Sequence, residues 1–364
     1  VWKLNASNIW HVEMDGLVRT HTGAQAAMPV WHPWPGESVI IAVSLPKGVE
    51  GATRTIDRTS LSVTVGERSS RVNLGMQLRS SQGGLHQIKL PEGAELQSLF
   101  INGRTEPSQL KDGMLTLPVA PGTQQVDVEW TLSQGISSHV TVPEVDVQLP
   151  TVNSDISIAL PEDRWVLFTH GPHMGPAVLI WGWVPVILLI AFGLARIPGV
   201  PLRSWHWFLL LLGLTQTNLW IMAIVSGWLV ALAWRRQQPE SDKAVWFNLR
   251  QIVLGGWTLA SLLLLFYGIK HGLLGSPDMK IAGNNSYAFL LNWYQDITGS
   301  VLPRPGVLSL PLMAYRTLML LWALWLAFAL VRWLKWGWDS FSTGGYWKRY
   351  PRKKDEGKVA QVEA

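Results

Sequence analysis

The sequence predicts a multi-domain membrane protein: an all-β, sandwich-like soluble domain over residues 1–169, an α-helical transmembrane domain over 170–338, and a basic tail over 339–364. Three observations carry this reading. Apolar and polar residues alternate along the first 169 residues, as strands with one buried face require. Uncharged apolar runs long enough to cross about 30 Å of hydrocarbon begin only after Gly171. Lys and Arg then cluster at the ends of those runs, the usual membrane pattern.

Composition narrows the classes further. The chain has 364 residues, 48% of them hydrophobic and only 15% charged, and 17 of its 22 Trp fall between Trp165 and Trp347. An indole has an apolar ring and an N–H that favours the wet headgroup layer, so this skew also points to a bilayer. The absence of cysteine excludes disulfides, Cys-ligated zinc, iron–sulfur clusters and thiol nucleophiles. The net charge of +5 sits beside apolar spans, so nucleic acid is not an expected partner. The chain starts at Val1 without Met or a basic-then-apolar leader, and the expectation is that it belongs to a longer polypeptide.

In the first half, one alternating set is Val39, Ile41, Val43 and Leu45, followed by Leu61, Val63 and Val65 and then by Val72, Leu74, Met76 and Leu78. Val126, Val128, Trp130 and Leu132, separated by Asp127, Glu129 and Thr131, form the clearest strand, and Ile156, Ile158 and Leu160 close the series. Turn signals lie between them: Pro46-Lys47-Gly48, Gly66, Gly83-Gly84, Asn102-Gly103, Asp112-Gly113 and Pro121-Gly122. Asn-Gly and Asp-Gly tolerate the positive φ angles of tight hairpins. A boundary between two smaller sandwiches would fall at Ser80 to Gly84, and the whole of 1–169 is expected to fold without the helices.

No Gly-rich phosphate loop, nucleophile elbow or zinc-protease helix motif occurs, so no cofactor is expected. His170 and His173 in His170-Gly171-Pro172-His173 are weak metal candidates. Two imidazoles three residues apart can share an ion, but no third ligand is fixed by spacing, and a turn entering the headgroup layer accounts for them better. His11, His21, His32, His86 and His139 read as surface or satisfied core residues. Trp31-His32-Pro33-Trp34-Pro35 reads as a proline turn packing its rings rather than as a platform for a sugar or peptide.

Three full spans are expected, at 177–195, 251–269 and 311–331, with Pro185 kinking the first. The uncharged segment 204–234 would make a helix of about 46 Å, too long for one upright span. The polar stretch Gly213-Leu214-Thr215-Gln216-Thr217-Asn218 interrupts it, which favours a hairpin of two helices, near 205–213 and 219–234. The hairpin places Arg196, Arg203, Arg235, Arg236, Lys243 and Arg250 on the same side as Arg332, Lys335, Lys348, Arg349, Arg352, Lys353, Lys354 and Lys358. Only Lys270, Lys280 and Arg304 remain with the β domain, so the positive-inside rule puts that domain in the periplasm and the tail in the cytoplasm. One tilted span over 204–234 would instead move the β domain inside and leave Arg196 and Arg203 outside. Within the spans, Arg316 is expected to snorkel to the headgroups, and Gln216 and Asn218 to cap the hairpin turn.

The pattern is that of a tryptophan-rich bacterial inner-membrane protein of the cell envelope. The expectation is a non-enzymatic one, whose β domain binds a protein partner, an upstream region of its own polypeptide or a glycan, while the helices anchor it among membrane lipids. The alternatives are a subunit of a lipid or polysaccharide conduit and a membrane-interface enzyme using His170 and His173. The lack of any Asp or Glu in the spans disfavours ion-coupled transport.

Overall fold

The computed structural model describes residues 1–4, 11–17, 29–44, 53–237 and 244–348. His21, Leu45, the Pro46-Lys47-Gly48 turn, Lys243 and the basic residues from Arg349 onward lie outside the described residues. The chain divides into two compact units, Val1–Thr53 and Arg54–Ala364.

The first unit holds two antiparallel pairs: β1 (Trp2–Lys3) with β3 (Val30–Trp31), and β2 (His11–Gly16) with β4 (Val39–Ser44). The alternation read at Val39, Ile41 and Val43 has no buried face here. Ile41 and Val43 are exposed, and so is the intervening Ile40. A two-stranded ribbon has no second layer in which to bury one side.

The second unit begins with β5 (Arg54–Val65), β6 (Ser70–Ser80), β7 (Gly84–Lys89), β8 (Ala94–Ile101), β9 (Arg104–Thr105), β10 (Leu110–Lys111), β11 (Met114–Val119) and β12 (Gly122–Leu132). It continues through β13 (His139–Thr141), β14 (Thr151–Ala159), β15 (Arg164–His170) and β16 (Ala177–Val178) to the helices α1 (Ile180–Leu194), α2 (Ser204–Leu214), α3 (Leu219–Gln237) and α4 (Ala244–Leu274). The chain then returns to strand, as β17 (Ile281–Ala282), β18 (Leu290–Thr298) and β19 (Gly306–Pro311), before α5 (Leu312–Ser342).

A seven-stranded sheet runs β18-β14-β5-β6-β12-β8-β9, with two three-stranded sheets, β10-β11-β7 and β13-β19-β15. Their apolar faces share one core, which makes this part sandwich-like. The predicted alternation holds from Leu61 onward: Leu61, Val63, Val65, Val72, Leu74, Met76, Leu78, Val126, Val128, Trp130, Leu132, Ile156, Ile158 and Leu160 are all buried. A bulge at Asp57, where the register slips between Ile56 and Arg58, inserts one residue and so keeps both Ile56 and Thr59 on the inner face. Asn102-Gly103 and Asp112-Gly113 are tight turns with φ of 51° and 74°, and of 50° and 76°. Both residues of each pair are positive, as a twist-matched two-residue hairpin requires.

Two expectations need correction. No boundary falls at Ser80 to Gly84: Ser80 closes β6, Gly84 opens β7, and the two strands feed the same core. Nor is the β domain complete at residue 169. Strand β18 pairs with β14 along eight residue pairs, from Thr151↔Thr298 to Ala159↔Leu290. Strand β19 lies between β13 and β15 and contributes Val307 to the core, beside Leu291, Trp293 and Leu302. A fragment ending at 169 would expose the inner faces these strands cover and would leave β14 with an open edge.

A chain of buried hydroxyls fastens β18 to the sheet. Thr59 Oγ1 donates to Ser154 Oγ at 2.8 Å, Ser154 and Thr151 share a bond of 2.9 Å, and Thr151 and Thr298 share one of 2.6 Å. These bonds cross the parallel pair β5–β14 and the antiparallel pair β14–β18, and they satisfy polar groups that water does not reach.

Among the described residues, three helices, α3, α4 and α5, are long and apolar enough to cross a membrane. The expected spans at 251–269 and 311–331 lie within α4 and α5. The span expected at 177–195 is a shorter helix of 15 residues, because Ala177 and Val178 pair as β16 with β17, and the N–H groups of Leu179 and Ile180 bond to Lys280 and Met279. The third long helix is α3, the second piece of the 204–234 segment, which breaks at Thr215–Asn218 as expected. The Trp distribution also has a second cause beyond the headgroup layer. Trp207 and Trp228 are fully buried between helices, and Trp228 Nε1 donates to Thr258 Oγ1, Trp257 Nε1 to Ile224 O and Trp322 Nε1 to Leu209 O.

Trp130 is buried completely, whereas Glu129 faces outward and pairs with Arg71 at 3.2 Å. Trp130→Ala should therefore destabilise the protein by about 3–5 kcal/mol, the range for a buried large aromatic. Glu129→Ala should cost less than about 1 kcal/mol, since it removes a surface ion pair and a long hydrogen bond of 3.4 Å from Ser98 Oγ. Denaturant midpoints at unchanged slope are the measurement, and equal midpoints would mean that the strand faces are assigned wrongly.

Candidate functional site

The second unit has a cleft of about 450 Å³ at one end of the sandwich. Its floor is apolar and comes from the ends of β5, β12 and β13, with Val63, Val65, Leu132 and Val140. Its walls come from the end of β7 and from the segment between β12 and β14. Ser70 Oγ donates to Gln134 O at 2.7 Å, and Ile136 N–H donates to Gly66 O at 2.9 Å, so that segment is tied to the β5–β6 turn. Lys89 and Asp146 exchange two backbone hydrogen bonds, at 2.8 and 3.1 Å, which holds the far wall.

The rim carries both signs of charge. Arg304 Nη1 bonds Glu144 Oε2 at 2.9 Å, and Lys89, Glu92 and Asp146 complete it. The Asp146 carboxylate also accepts from the backbone and side-chain nitrogens of Gln148, at 2.9 and 2.8 Å. The arrangement is suited to binding. Ser137 Oγ donates to the carbonyl oxygen of His139 at 2.6 Å rather than to its imidazole, so these two do not form a nucleophile–base pair. Among the described residues that line the cleft, none is Trp, Tyr or Phe.

The residues singled out in the sequence lie elsewhere. His170 ends β15 and faces His139 of β13 across Gly306, with ring centroids 5.3 Å apart, while His173 is exposed in the following turn. Among the described residues, no group of three or more His, Asp or Glu is placed to hold a metal. Arg316 is exposed on the second turn of α5, just past the end of β19. Gln216 Oε1 accepts the N–H of Asp278 at 2.9 Å, which ties the α2–α3 turn to the segment after α4. Asn218 is exposed, and its carbonyl accepts the N–H of Ile221 in the first turn of α3. In the first unit, Trp31 is buried and donates to Leu17 O at 3.2 Å, but Trp34 is exposed. Sequence reasoning missed the cleft because its residues come from positions 63 to 146 and from 304. No short motif joins them; the only local signal is the strand-poor polar run after Leu132.

No protein-family model matches the chain, and no curated protein matches it. Among solved structures, it is similar to the M1 zinc metallopeptidase from Deinococcus radiodurans, at 10% identity and a TM-score of 0.27, over 34% of this chain and 35% of that one. A mutant of the two-domain M1 zinc metallopeptidase bound to L-tryptophan amino acid gives 8% identity and a TM-score of 0.26, over 34% and 36% of the two chains. The match spans about a third of the length of those proteins and assigns no activity to this one.

Among the described residues of the second unit's β-rich part, one imidazole is buried. His86, in β7, is pushed below the ordinary imidazole range by burial, an effect that a backbone hydrogen bond to Val147 opposes and the nearby Arg54 charge reinforces. A depressed folded value means that the unfolded chain binds the proton more readily. Stability is therefore full above about pH 6.5, the unfolded value, and falls as the pH drops through and below it. Thermal midpoints of the full chain should decline between pH 7.5 and 5, and His86→Leu should flatten that slope. An unchanged slope in the variant would remove His86 as its source.

Proposed function

We propose that this protein is a membrane-anchored, non-enzymatic binding protein of the bacterial inner membrane. Its β-rich part lies in the periplasm and receives a polypeptide segment of a partner in the cleft, while the helices anchor it and the basic tail stays in the cytoplasm. The observation that carries this reading is the cleft's composition. A mainly polar lining with charged side chains of both signs, over a few nearly buried aliphatic residues, suits a polypeptide, which offers backbone hydrogen-bonding groups and both charges together. A sugar ring presents an apolar C–H face that is best covered by an aromatic side chain, and the lining has none, so the glycan alternative is the weaker one.

The arrangement of the helix ends supports the orientation. Gln237 donates to Pro198 O, Arg235 Nη2 donates to Thr343 O, and Asn248 and Lys348 exchange two bonds of 2.9 Å. These contacts gather the loop after α1, both ends of the α3–α4 turn and the end of α5 at one end of the bundle, and Arg196, Arg203, Arg235, Arg236 and Arg250 gather with them. The opposite ends of the helices adjoin strands: Leu312 N–H donates to Asp163 O, and Ile180 N–H to Met279 O. Basic residues at one end and sheet at the other support, by the positive-inside rule, a cytoplasmic basic end.

A reporter active only in the cytoplasm should work when fused after Lys354 and stay silent when placed near Gly283. Activity at both positions would defeat the orientation.

Partner binding is tested in cells with a photoreactive residue at Glu92. It should yield a protein adduct of defined mass, and Arg304→Glu should lower the yield several-fold, because the reversal disturbs the rim charges while removing an exposed ion pair with Glu144, worth about 1 kcal/mol or less, and a long bond of 3.5 Å to Val142 O. Adducts with polysaccharide alone, or a yield indifferent to Arg304→Glu, would overturn the polypeptide reading.

A further inference from the structure

The cleft runs along an open sheet edge. Strand β13 is the outermost strand of the sheet β13-β19-β15 and pairs with β19 alone. Beside it, Ser138 O accepts the N–H of Ser309 at 2.8 Å, and the N–H of Val142 donates to Pro305 O at 2.9 Å. Along an antiparallel pair, the residues whose backbone groups face the partner strand alternate. Ser138, Val140 and Val142 therefore face β19, while His139 and Thr141 turn theirs toward the cleft, which both residues line. The carbonyl of His139 is taken by Ser137 Oγ. The N–H groups of His139 and Thr141 and the carbonyl of Thr141 have no hydrogen-bond partner among the described residues.

No strand of the second unit takes the place next to this edge. The antiparallel bridge between Lys89 and Asp146 brings the end of β7 against the segment that follows β13. The chain then turns away, with the N–H of Ala94 bonded to Pro91 O at 3.2 Å, and enters the large sheet as β8. A strand position beside β13 is thus left open, over Val63 and Val65 of β5 and Leu132 of β12. Pro143, which lacks an N–H, ends the row of donors. On the rim, Lys89 and Glu92 have no ion-pair partner among the described residues, so one charge of each sign is available.

We infer that the cleft takes its partner by strand addition: an extended polypeptide segment lies beside β13, pairs its main chain with His139 and Thr141, and sets an acidic side chain against Lys89 and a basic one against Glu92. The inference rests on reading the cleft as a polypeptide site. Main-chain bonds supply the affinity in this mode of recognition. The floor residues Val63, Val65 and Leu132 are already nearly buried and add little apolar area.

The test uses the full chain in lipid nanodiscs and a phage-displayed library of random linear peptides. Selected peptides that are captured by a photoreactive residue at Glu92 are synthesised in two N-methylated forms, each blocking every second amide. On the wild-type chain one form should bind at least about tenfold more weakly than the parent and the other within about twofold of it, because only alternate N–H groups face β13. Thr141→Pro removes one edge donor where an edge strand tolerates proline, and should weaken the parent peptide several-fold. The methylated peptides are read on the wild-type chain, so that result is independent of how the variant folds. A library that yields no peptide captured at Glu92 overturns the polypeptide reading and strand addition with it. Captured peptides that tolerate both methylated forms, or lose binding equally in both, overturn strand addition alone.

Discussion

Strand β19 joins the two halves of the second unit, and most of its architecture depends on that junction. It is hydrogen-bonded on both sides, to β13 and to β15, so its backbone groups are satisfied within the sheet. It then continues into α5 without an intervening loop: Pro311 has an extended ψ of 142°, and the N–H of Leu312 is accepted by Asp163 O of the neighbouring segment. Proline suits that place because it has no N–H to satisfy and its ring favours a turn into helix. A helix rooted in a sheet in this way cannot tilt or rotate independently of it. The same anchoring recurs at α1, whose first N–H groups bond to the segment that carries β17.

Because β18 and β19 follow four helices in the chain, the sheet closes only when the polypeptide returns from α4. The buried hydroxyl chain Thr59–Ser154–Thr151–Thr298 shows what that return must match. It joins strands separated by more than 200 residues in sequence, and each hydroxyl needs its neighbour because burial removes water as the alternative partner. Arg164 has the same character on the smaller sheet. Its guanidinium is buried against Ser309 and the carbonyl of Ser137, so one side chain ties β15, β19 and the wall of the cleft. The geometry of the cleft is therefore linked through Arg164 and Arg304 to the strands inserted between α4 and α5.

The helical part is organised by different forces. Indole N–H groups of Trp228, Trp257 and Trp322 reach hydroxyl or carbonyl oxygens on neighbouring helices and so tie the helices to one another. At the sheet end, Trp181 stacks on Phe168 at 4.9 Å and donates to Leu167 O, an amphipathic pair at the level where strand gives way to helix. At the other end, arginines lie against Phe192, Phe247 and Trp234. The two ends of the bundle thus differ chemically, one meeting the sheet and the other carrying the cationic groups.

Much of this was legible in the sequence, because periodicity and charge are local properties. Alternation marked the buried faces of β5, β6, β12 and β14, Asn-Gly and Asp-Gly marked two tight turns, and the polar stretch around Gln216 marked the break between α2 and α3. Each depends on residues within a turn or two of one another. The tertiary structure alone decided what depends on distant partners. Ile41 and Val43 alternate as well as Leu61 and Val63 do, yet they lack a second layer, and whether such a layer exists is set by the rest of the chain. Strands β18 and β19 lie too far from residue 169 in the chain to be assigned to its sheet by pattern. The cleft is drawn from segments whose approach is fixed by strand pairing. Local sequence sets the hydrophobic period of an element, but pairing and packing select its neighbours, and sites are made between neighbours.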